Sequence, residues 1–470
     1  MTSAWVVGSG PNGLAGAVEL ARAGLRVTVL EAAEEIGGGT RTSELTVPGV
    51  LHDHCSAFHP MATASPFMRS VDLERHGLEW LWPQIDMAHP LDDGSAGFMS
   101  RSIEATAQGL GRDGAAWKRL FAGPSAHFDS LLPDLMQPML HLPRHPIRLT
   151  RFGIPALAPA TTIARAFESE QAKAVFGGVA AHAISPLTKP LSASVGMALI
   201  CSAHAFGWPV AKGGSRSITD ALAAELVEHG GKIETGRRVE SLDELPSGDV
   251  VLLDLSPARA ADVAGSRLDS RVARAYRRYR HGPGAFKVDF AVEGGVPWTA
   301  EACRSAGTVH VTGTFDETVG AEAAVNAGRM PERPFVLVGQ QYLADPSRSA
   351  GDVHPVWAYA HVPNGWERDE TESLVGQIER FAPGFRERIV AQVSKGPAEF
   401  ESYNANFIGG DIIGGANSPR QIVARPRLGL RPYSTGIPGV FMCSASTPPG
   451  AGVHGMNGSN AAKAALAGLG

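Results

Sequence analysis

The period of the hydrophobic positions changes several times along the chain, and each change predicts an element. Residues 4–7 form a short apolar β-type run, 8–13 a turn, and 14–23 carry apolar side chains at helical spacing. Gly24 stops that helix and 26–30 reads as a second strand, so the chain opens with a βαβ unit. From 31 to about 82 the sequence is loop-like, rich in Gly, His and Pro. From 102 to about 207 it turns mostly helical, broken by Pro133, Pro138, Pro143, Pro146, Pro155 and Pro159, which predicts an inserted helical region. A turn at Gly213, a helix over 217–229 and strands over 232–234 and 250–255 then return to the opening style. Alternating runs at 285–292 and 335–341 predict an antiparallel sheet, with Trp298, Trp357 and Trp366 nearby, that would form the floor of a substrate chamber. The tail, 439–469, repeats strand, glycine turn and helix.

Composition narrows what such a chain does. A formal net charge of -5 over 470 residues gives no basic face for nucleic acid. Cys55, Cys201, Cys303 and Cys443 are far apart, with no CxxC pair and no metal-ligand spacing, so neither a redox dithiol nor a metal centre is expected. Residues 1–4 run straight into a strand without a basic leader, and the most apolar stretch, 192–207, contains His204 and is too short to span a bilayer. A cytoplasmic setting with reduced thiols follows as the expectation.

The candidate chemistry starts at Gly8, Gly10 and Gly13, spaced GxGxxG between a strand and a helix, with Glu31 closing the next strand. In such a unit the glycines allow a tight turn, close approach of a pyrophosphate, and close helix–strand packing. The helix N-terminus takes the anion, and an acid about twenty residues on accepts ribose hydroxyls. A second GxGxxG, Gly450, Gly452 and Gly455, lacks that context. After Glu31 comes GGGTRT, residues 37–42, in which Arg41 is placed to meet a diphosphate through a bidentate contact. That extra element favours FAD over NAD.

The segments GSGPNGLAGAVELARAGLRVTVLE, GGGTRT, HDHCSAFHPMATASPF, GWPVAKGGSRSITDAL and CSASTPPGAGVHGMNGSNAA together resemble the phytoene desaturase-related FAD oxidoreductases. Within them the chain looks most like the branch of pyridine nucleotide-disulfide oxidoreductase domain proteins. The resemblance implies an α/β fold: a discontinuous Rossmann-like FAD-binding domain (1–95, 207–284, 431–470), a helical lid (96–206) and an α+β substrate domain with a mixed or antiparallel sheet (285–430). It implies that Gly8, Ser9, Gly10, Pro11, Asn12, Gly13, Glu31, Ala32, Gly38, Gly39, Thr40 and Arg41 hold the ADP half and diphosphate. It places Ser56 and Ala57 in the cofactor pocket, Val239 at the adenine, Ser444 and Ala445 at the ribityl chain, and His454, Gly455 and Met456 beside the isoalloxazine. One departure stands out: without CxxC or a second nucleotide-binding unit, reduction by NAD(P)H is not expected.

Among the remaining polar residues, His52, His54, His59 and His454 are candidates for a proton acceptor, with His454 the choice because its turn should face the flavin. Asp53 reads as a general base or, more commonly in such a stretch, a loop cap, and Lys287 as facing the chamber or, the commoner case, part of a solvated strand face. The segment 135–167 mixes apolar residues with Arg144, Arg148, Arg151 and Arg165, which suits either a packed lid or a peripheral contact with an anionic membrane. The expected function is FAD-dependent dehydrogenation of an apolar, isoprenoid- or lipid-like substrate, with oxygen or a quinone as electron acceptor. The alternatives are a flavin amine or amino-acid oxidase, whose aromatic cage is poorly supplied by six tyrosines, and a flavin-bearing scaffold without turnover.

Overall fold

A computed structural model describes residues 2–246 and 248–469. Five parallel strands form its first sheet, in the spatial order Val440–Met442, Val250–Leu253, Ser3–Val7, Arg26–Leu30, Lys232–Glu234. Three distant stretches of chain therefore build one sheet, as the returning α/β pattern predicts. Apart from the exposed edge strand Lys232–Glu234, the strands are covered on both faces and alternate accordingly: Ala4, Val6, Val27, Val29 and Leu252 enter one core, Val7, Leu30 and Leu253 the other. Helices Pro11–Arg22, Arg216–Glu228 and Met456–Leu466 cover the first face, and Pro257–Ala264 with Ser270–Arg277 the second. The first and last helices cross so closely that a Cβ on Gly458 would stand 1.8 Å from the Asn12 carbonyl oxygen. Only glycine fits that crossing.

The first helix begins at Pro11, three residues ahead of the apolar periodicity, because Pro at a first-turn position needs no N–H partner.

A second, seven-stranded sheet runs Ile389–Lys395, Gly284–Glu293, Val353–Val362, Val336–Gly339, Ala306–Val311, Ile85–Pro90, Ala96–Met99. It is antiparallel except where Ala306–Val311 lies parallel to Ile85–Pro90. The sequence boundary at 95 falls inside the Ile85–Met99 hairpin, which belongs to this second sheet. Ile85–Pro90 pairs with Ala306–Val311, more than two hundred residues away, which local periodicity does not encode. One face of the sheet packs Val288, Phe290, Val338, Val356 and Ala358 against helix Thr371–Phe381. The other face carries Leu337, Trp357 and Tyr359. Trp298 and Trp366 pack with the sheet as expected, but on the face away from the chamber, Trp298 Nε1 donating to Gln340 Oε1 (3.0 Å).

Helices between Ile103–Gly109 and Ala193–Phe206 form the insert. Among the described residues no helix is long and apolar enough to cross a membrane.

Candidate functional site

All five strands of the first sheet point their carboxyl ends toward one edge, where ligands of open α/β sheets bind. The loops that leave those ends, around Gly8, Glu31, Asp254, Val239 and Ser444, line one cavity of about 1190 Å³. The cavity continues past the tail turn Pro448–His454 into a chamber between the second sheet and the helical insert. Leu149, Phe152, Leu157, Val195 and Leu199 line it from the insert, and Thr308, Leu337, Trp357 and Tyr359 from the sheet.

At the dinucleotide end, Gly10 caps the first helix and, being glycine, brings no side chain of its own to the leading N–H groups, of which Gly13 N–H is taken by Asp254. A Cβ on Gly13 would stand 2.1 Å from the Gly8 carbonyl oxygen, so glycine there permits the strand–helix contact. Glu31 Oε2 accepts from Ser9 N–H (2.9 Å) and Ser9 Oγ (2.6 Å), and Oε1 accepts from Ala33 N–H (2.9 Å). Asn12 Oδ1 and Ser256 Oγ are buried without a partner at the same place. A glycine-lined cradle at a helix N-terminus, a placed carboxylate and orphaned polar atoms fit a dinucleotide.

Asp254, which no motif singled out, lies under this cradle. Its Oδ2 accepts from Gly13 N–H (3.0 Å). Burial pushes its carboxyl up to about 7, with the Glu31 charge adding to the effect and the Gly13 hydrogen bond opposing it. A signal was present: Asp254 is the residue after the Val250–Leu253 strand, at a sheet edge where polar residues face ligand.

Gly8, Ser9, Gly10, Pro11, Asn12, Glu31, Ala32, Gly38, Gly39, Thr40, Arg41, Ser56, Ala57, Val239, Ser444, Ala445 and His454 all border the cavity. Gly13, Gly455 and Met456 do not. Gly13 acts from behind, and Gly455 packs on Ala15 and Phe67, where a Cβ would come within 2.8 Å of either side chain. Met456 is buried as the first residue of its helix.

Two expected roles change. Arg41 spends its Nε and Nη2 on the carbonyls of Glu35 and Ile36 (2.7–3.1 Å) and lies over the Tyr403 ring. It shapes the loop instead of offering a bidentate fork to a diphosphate. His454 accepts the Met456 N–H at Nδ1 (3.1 Å), and burial pushes the ring down to about 4. A neutral imidazole accepting at Nδ1 carries its proton on Nε2, so neither nitrogen is free to accept a proton.

The other histidines separate as well. His52 bonds Thr46 and faces Asp289, and His54 bonds Ser43 and stacks on Tyr403; both shape the hairpin wall. His59 borders the cavity with Nε2 on Ser215 Oγ (2.9 Å) and a buried Nδ1 lacking a partner. Asp53 is a structural anchor, bound to Thr42, Ser215 N–H and Arg348. Lys287 is 1% exposed, ion-paired with Asp289 and lying over Trp357, because the wall containing His52 covers that strand face. The solvated face expected for it does not exist.

Sequence reasoning missed His182 and Arg425. His182 lines the chamber, and its Nε2 bonds Nε2 of the buried His310 (2.9 Å). Its Nδ1 has no protein partner among the described residues. Nothing in the local sequence links residues 182 and 310; the pairing of helix Glu170–Ala181 with strand Ala306–Val311 creates it.

Residues 6–72 match the family of NAD(P)-binding Rossmann-like domains. The chain is 24% identical to pyridine nucleotide-disulfide oxidoreductase domain-containing protein 2 of Mus musculus, over 97% of this chain and 92% of that protein. It is 28% identical to hydroxyneurosporene desaturase of Cereibacter sphaeroides over 50% of this chain and 49% of that one. In structure it is similar to a putrescine oxidase solved bound to putrescine, with a TM-score of 0.61 at 15% identity, covering 99% and 98% of the two chains. The resemblance read from the motifs is thus borne out along the chain, and the fold is the Rossmann-like, mixed α/β architecture expected.

Proposed function

We propose that the protein is an FAD-dependent oxidoreductase that takes a hydride and a proton from an apolar, isoprenoid- or lipid-like substrate, forming a double bond, with oxygen or a quinone as final acceptor. The observation that carries this reading is the single cavity running from the dinucleotide cradle into an apolar chamber. The first helix and Glu31 would hold the ADP half, and the turn through Ser444, Ala445 and His454 would meet the ring end. When bound, FAD supplies a two-electron acceptor for hydride.

The chain itself must take the proton. A carbon that has lost hydride is cationic, and the C–H bond beside it is then strongly acidic, so a weak base suffices. His182 fits: burial, with a smaller contribution from His361, pushes its ring down to about 3, so it is neutral at physiological pH. Its Nδ1 accepts the proton while the Nε2 contact with His310 gives the charge a second imidazole. Electrons then leave as two, with two protons, to dioxygen or a quinone.

Access follows from the insert. Leu140, Leu142, Ile147, Ile154 and Leu157 are exposed among Arg144, Arg148 and Arg151, while Leu149 and Phe152 of the same segment line the cavity. An apolar and basic rim of this kind suits peripheral contact with an anionic bilayer, from which a lipid-like substrate would enter. Cosedimentation with anionic but not neutral vesicles, lost on L142E/I147E/I154E, checks this; binding unaffected by those charges would remove it.

The test of function is anaerobic mixing of the FAD-loaded protein with polyene, isoprenoid and lipid donors. Bleaching of the flavin by a member of this set, and not by NADPH, is expected. Rapid bleaching by NADPH alone would mean a reductase. Resistance to every biological reductant would favour the scaffold reading.

Trp357 and Tyr359, with ring centroids 5.0 Å apart at 72°, face the chamber and favour one rival, an amine oxidase with an aromatic wall. One of the six tyrosines, Tyr359, supplies that wall together with Trp357. Bleaching by amines with release of peroxide would select this rival.

A further inference from the structure

Arg425 borders the cavity beside the tail turn and is 4% exposed. Every partner it has is a neutral oxygen: Nε donates to the Gln421 carbonyl (3.2 Å), Nη1 to the Ala445 carbonyl (3.4 Å) and Nη2 to Asn417 Oδ1 (2.8 Å). No carboxylate of the described residues pairs with it. Asp411, the acid of the neighbouring loop, is spent on His281 Nδ1 (3.1 Å), Gly282 N–H (2.9 Å) and Ile413 N–H (3.1 Å). Tyr279, packed in the same region, donates to the Gly414 carbonyl (3.0 Å) and stays a neutral phenol because burial raises it.

A guanidinium does not shed its charge, and burying one without a counterion is costly unless an anion arrives. Elsewhere in this chain a buried arginine is neutralised: Arg348 is fully buried between Asp53 and Asp345. Arg425 differs in having no acid and in facing a cavity. Its three donated bonds fix the guanidinium plane and leave two of five N–H groups for a ligand. Gly450 lies against it, where a Cβ would stand 2.9 Å from Nη1, so the approach from the tail turn is kept open by a missing side chain.

We infer that Arg425 is a docking point for an anionic oxygen of the ligand, and that the chamber therefore takes an amphipathic acid: an apolar chain under the insert and a carboxylate on the guanidinium. This rests on the reading of the chamber as a substrate site and names the substrate class within it. Two sources offer such an oxygen, the substrate's carboxylate and the carbonyl edge of the bound flavin, and the inference commits to the first.

The test compares a C15–C20 unsaturated carboxylic acid with the matching alcohol and methyl ester, binding each anaerobically to the FAD-loaded protein and following tryptophan quenching. The acid should bind at least about tenfold more tightly than the alcohol, as a charge-assisted contact allows. Arg425→Met should erase that preference without loss of FAD, checked by absorbance ratio. Asn417→Asp, which neutralises the guanidinium from within, should erase it too and guards against a variant that fails to fold. Equal binding of acid and alcohol by the unaltered protein overturns the inference, as does a preference that survives both substitutions. Loss of FAD in the variants with no acid preference in the parent assigns Arg425 to the cofactor and also overturns it. Because binding needs no turnover, tight acid binding without bleaching would sink the dehydrogenase proposal alone, whereas bleaching by a neutral polyene with no acid preference would sink this one alone.

Discussion

Replacing Arg348 with Met isolates the clasp that joins the two halves of the cofactor wall. The fully buried guanidinium donates from Nη1 to Asp53 Oδ2, from Nε to Asp345 Oδ2 (3.0 Å) and from Nη2 to the Ala211 carbonyl (2.6 Å). Asp53 also accepts from Thr42 Oγ1 (2.7 Å) and Ser215 N–H (2.7 Å), and Asp345 from Gly213 N–H (2.7 Å). Burial alone would raise Asp53, but Arg348, Ser215 and Thr42 together outweigh it and hold the carboxyl below its ordinary value. Asp345 is held down in the same sense, with burial again opposed by Ser347, Gly213 and Arg348. Removing one partner of a buried pair costs about 3–5 kcal/mol, and two stranded carboxylates put this variant at the upper end. With m near 3 kcal/mol per molar urea, the unfolding midpoint of the FAD-loaded variant should fall by about 1–2 M, read by circular dichroism and flavin fluorescence together. Stranded carboxylates acquire raised values in the fold, so their cost grows as pH rises above the unfolded value of about 4 and eases toward acid. The deficit relative to the parent should therefore be larger at pH 8 than at pH 5.5, and adding D53N should recover part of it. A variant within about 1 kcal/mol of the parent at both pH values would refute this account of the clasp.

Acid should unfold the protein early. Burial, the largest cause in each case, holds His54, His59, His89, His204 and His454 near 4 and His182 near 3, so these rings stay neutral in the fold while the unfolded chain takes up protons below about 6.5. Stability present above pH 6.5 is lost toward pH 4, by about 1–2 kcal/mol per ring at pH 5; a urea midpoint flat across that window would contradict it. Glu31→Gln should weaken FAD retention about tenfold with unchanged far-UV dichroism, since one amide nitrogen would then confront the Ser9 or Ala33 donor; equilibrium dialysis decides. His182→Gln should slow anaerobic bleaching by about a hundredfold at unchanged substrate affinity, while the parent's bleaching rate stays flat from pH 8 to pH 6; a fall centred near 6.5 would assign the proton to a different histidine.

What the sequence made legible is what short-range chemistry enforces. The 26–30 strand matches its observed bounds, and Gly8, Gly10 and Glu31 stand where their spacing places them, because a turn, a helix start and a strand end are local events. The discontinuous sheet was legible from the return of the same grammar at 232–234 and 439–469. Lys287 misleads because its alternation is genuine: the strand does present it on the face opposite Val288, but a wall made by residues near 52 covers that face. Arg41 misleads because an arginine after a glycine turn meets the carbonyls of its own loop before any ligand does. The His182–His310 contact and the Ile85–Ala306 pairing depend on which distant elements meet, so no window of sequence contains them.

The cavity's charge layout ties these pieces together. Its dinucleotide end gathers Glu31, an acceptor suited to ribose hydroxyls, and the raised carboxyl of Asp254, with a helix N-terminus supplying the opposing field. Arg425, with neutral oxygens around it, stands at the tail turn, and beyond it opens an apolar chamber in which His182 stays uncharged. A cationic amine entering this space would meet an unopposed guanidinium, whereas an acid with an apolar body would neutralise it. The same asymmetry that admits such a ligand orients it, with the charged end fixed and the chain laid across the sheet face of Trp357 and Tyr359. Orientation of that kind lets one C–H bond among many along an apolar chain be chosen, which hydrophobic contact by itself does poorly.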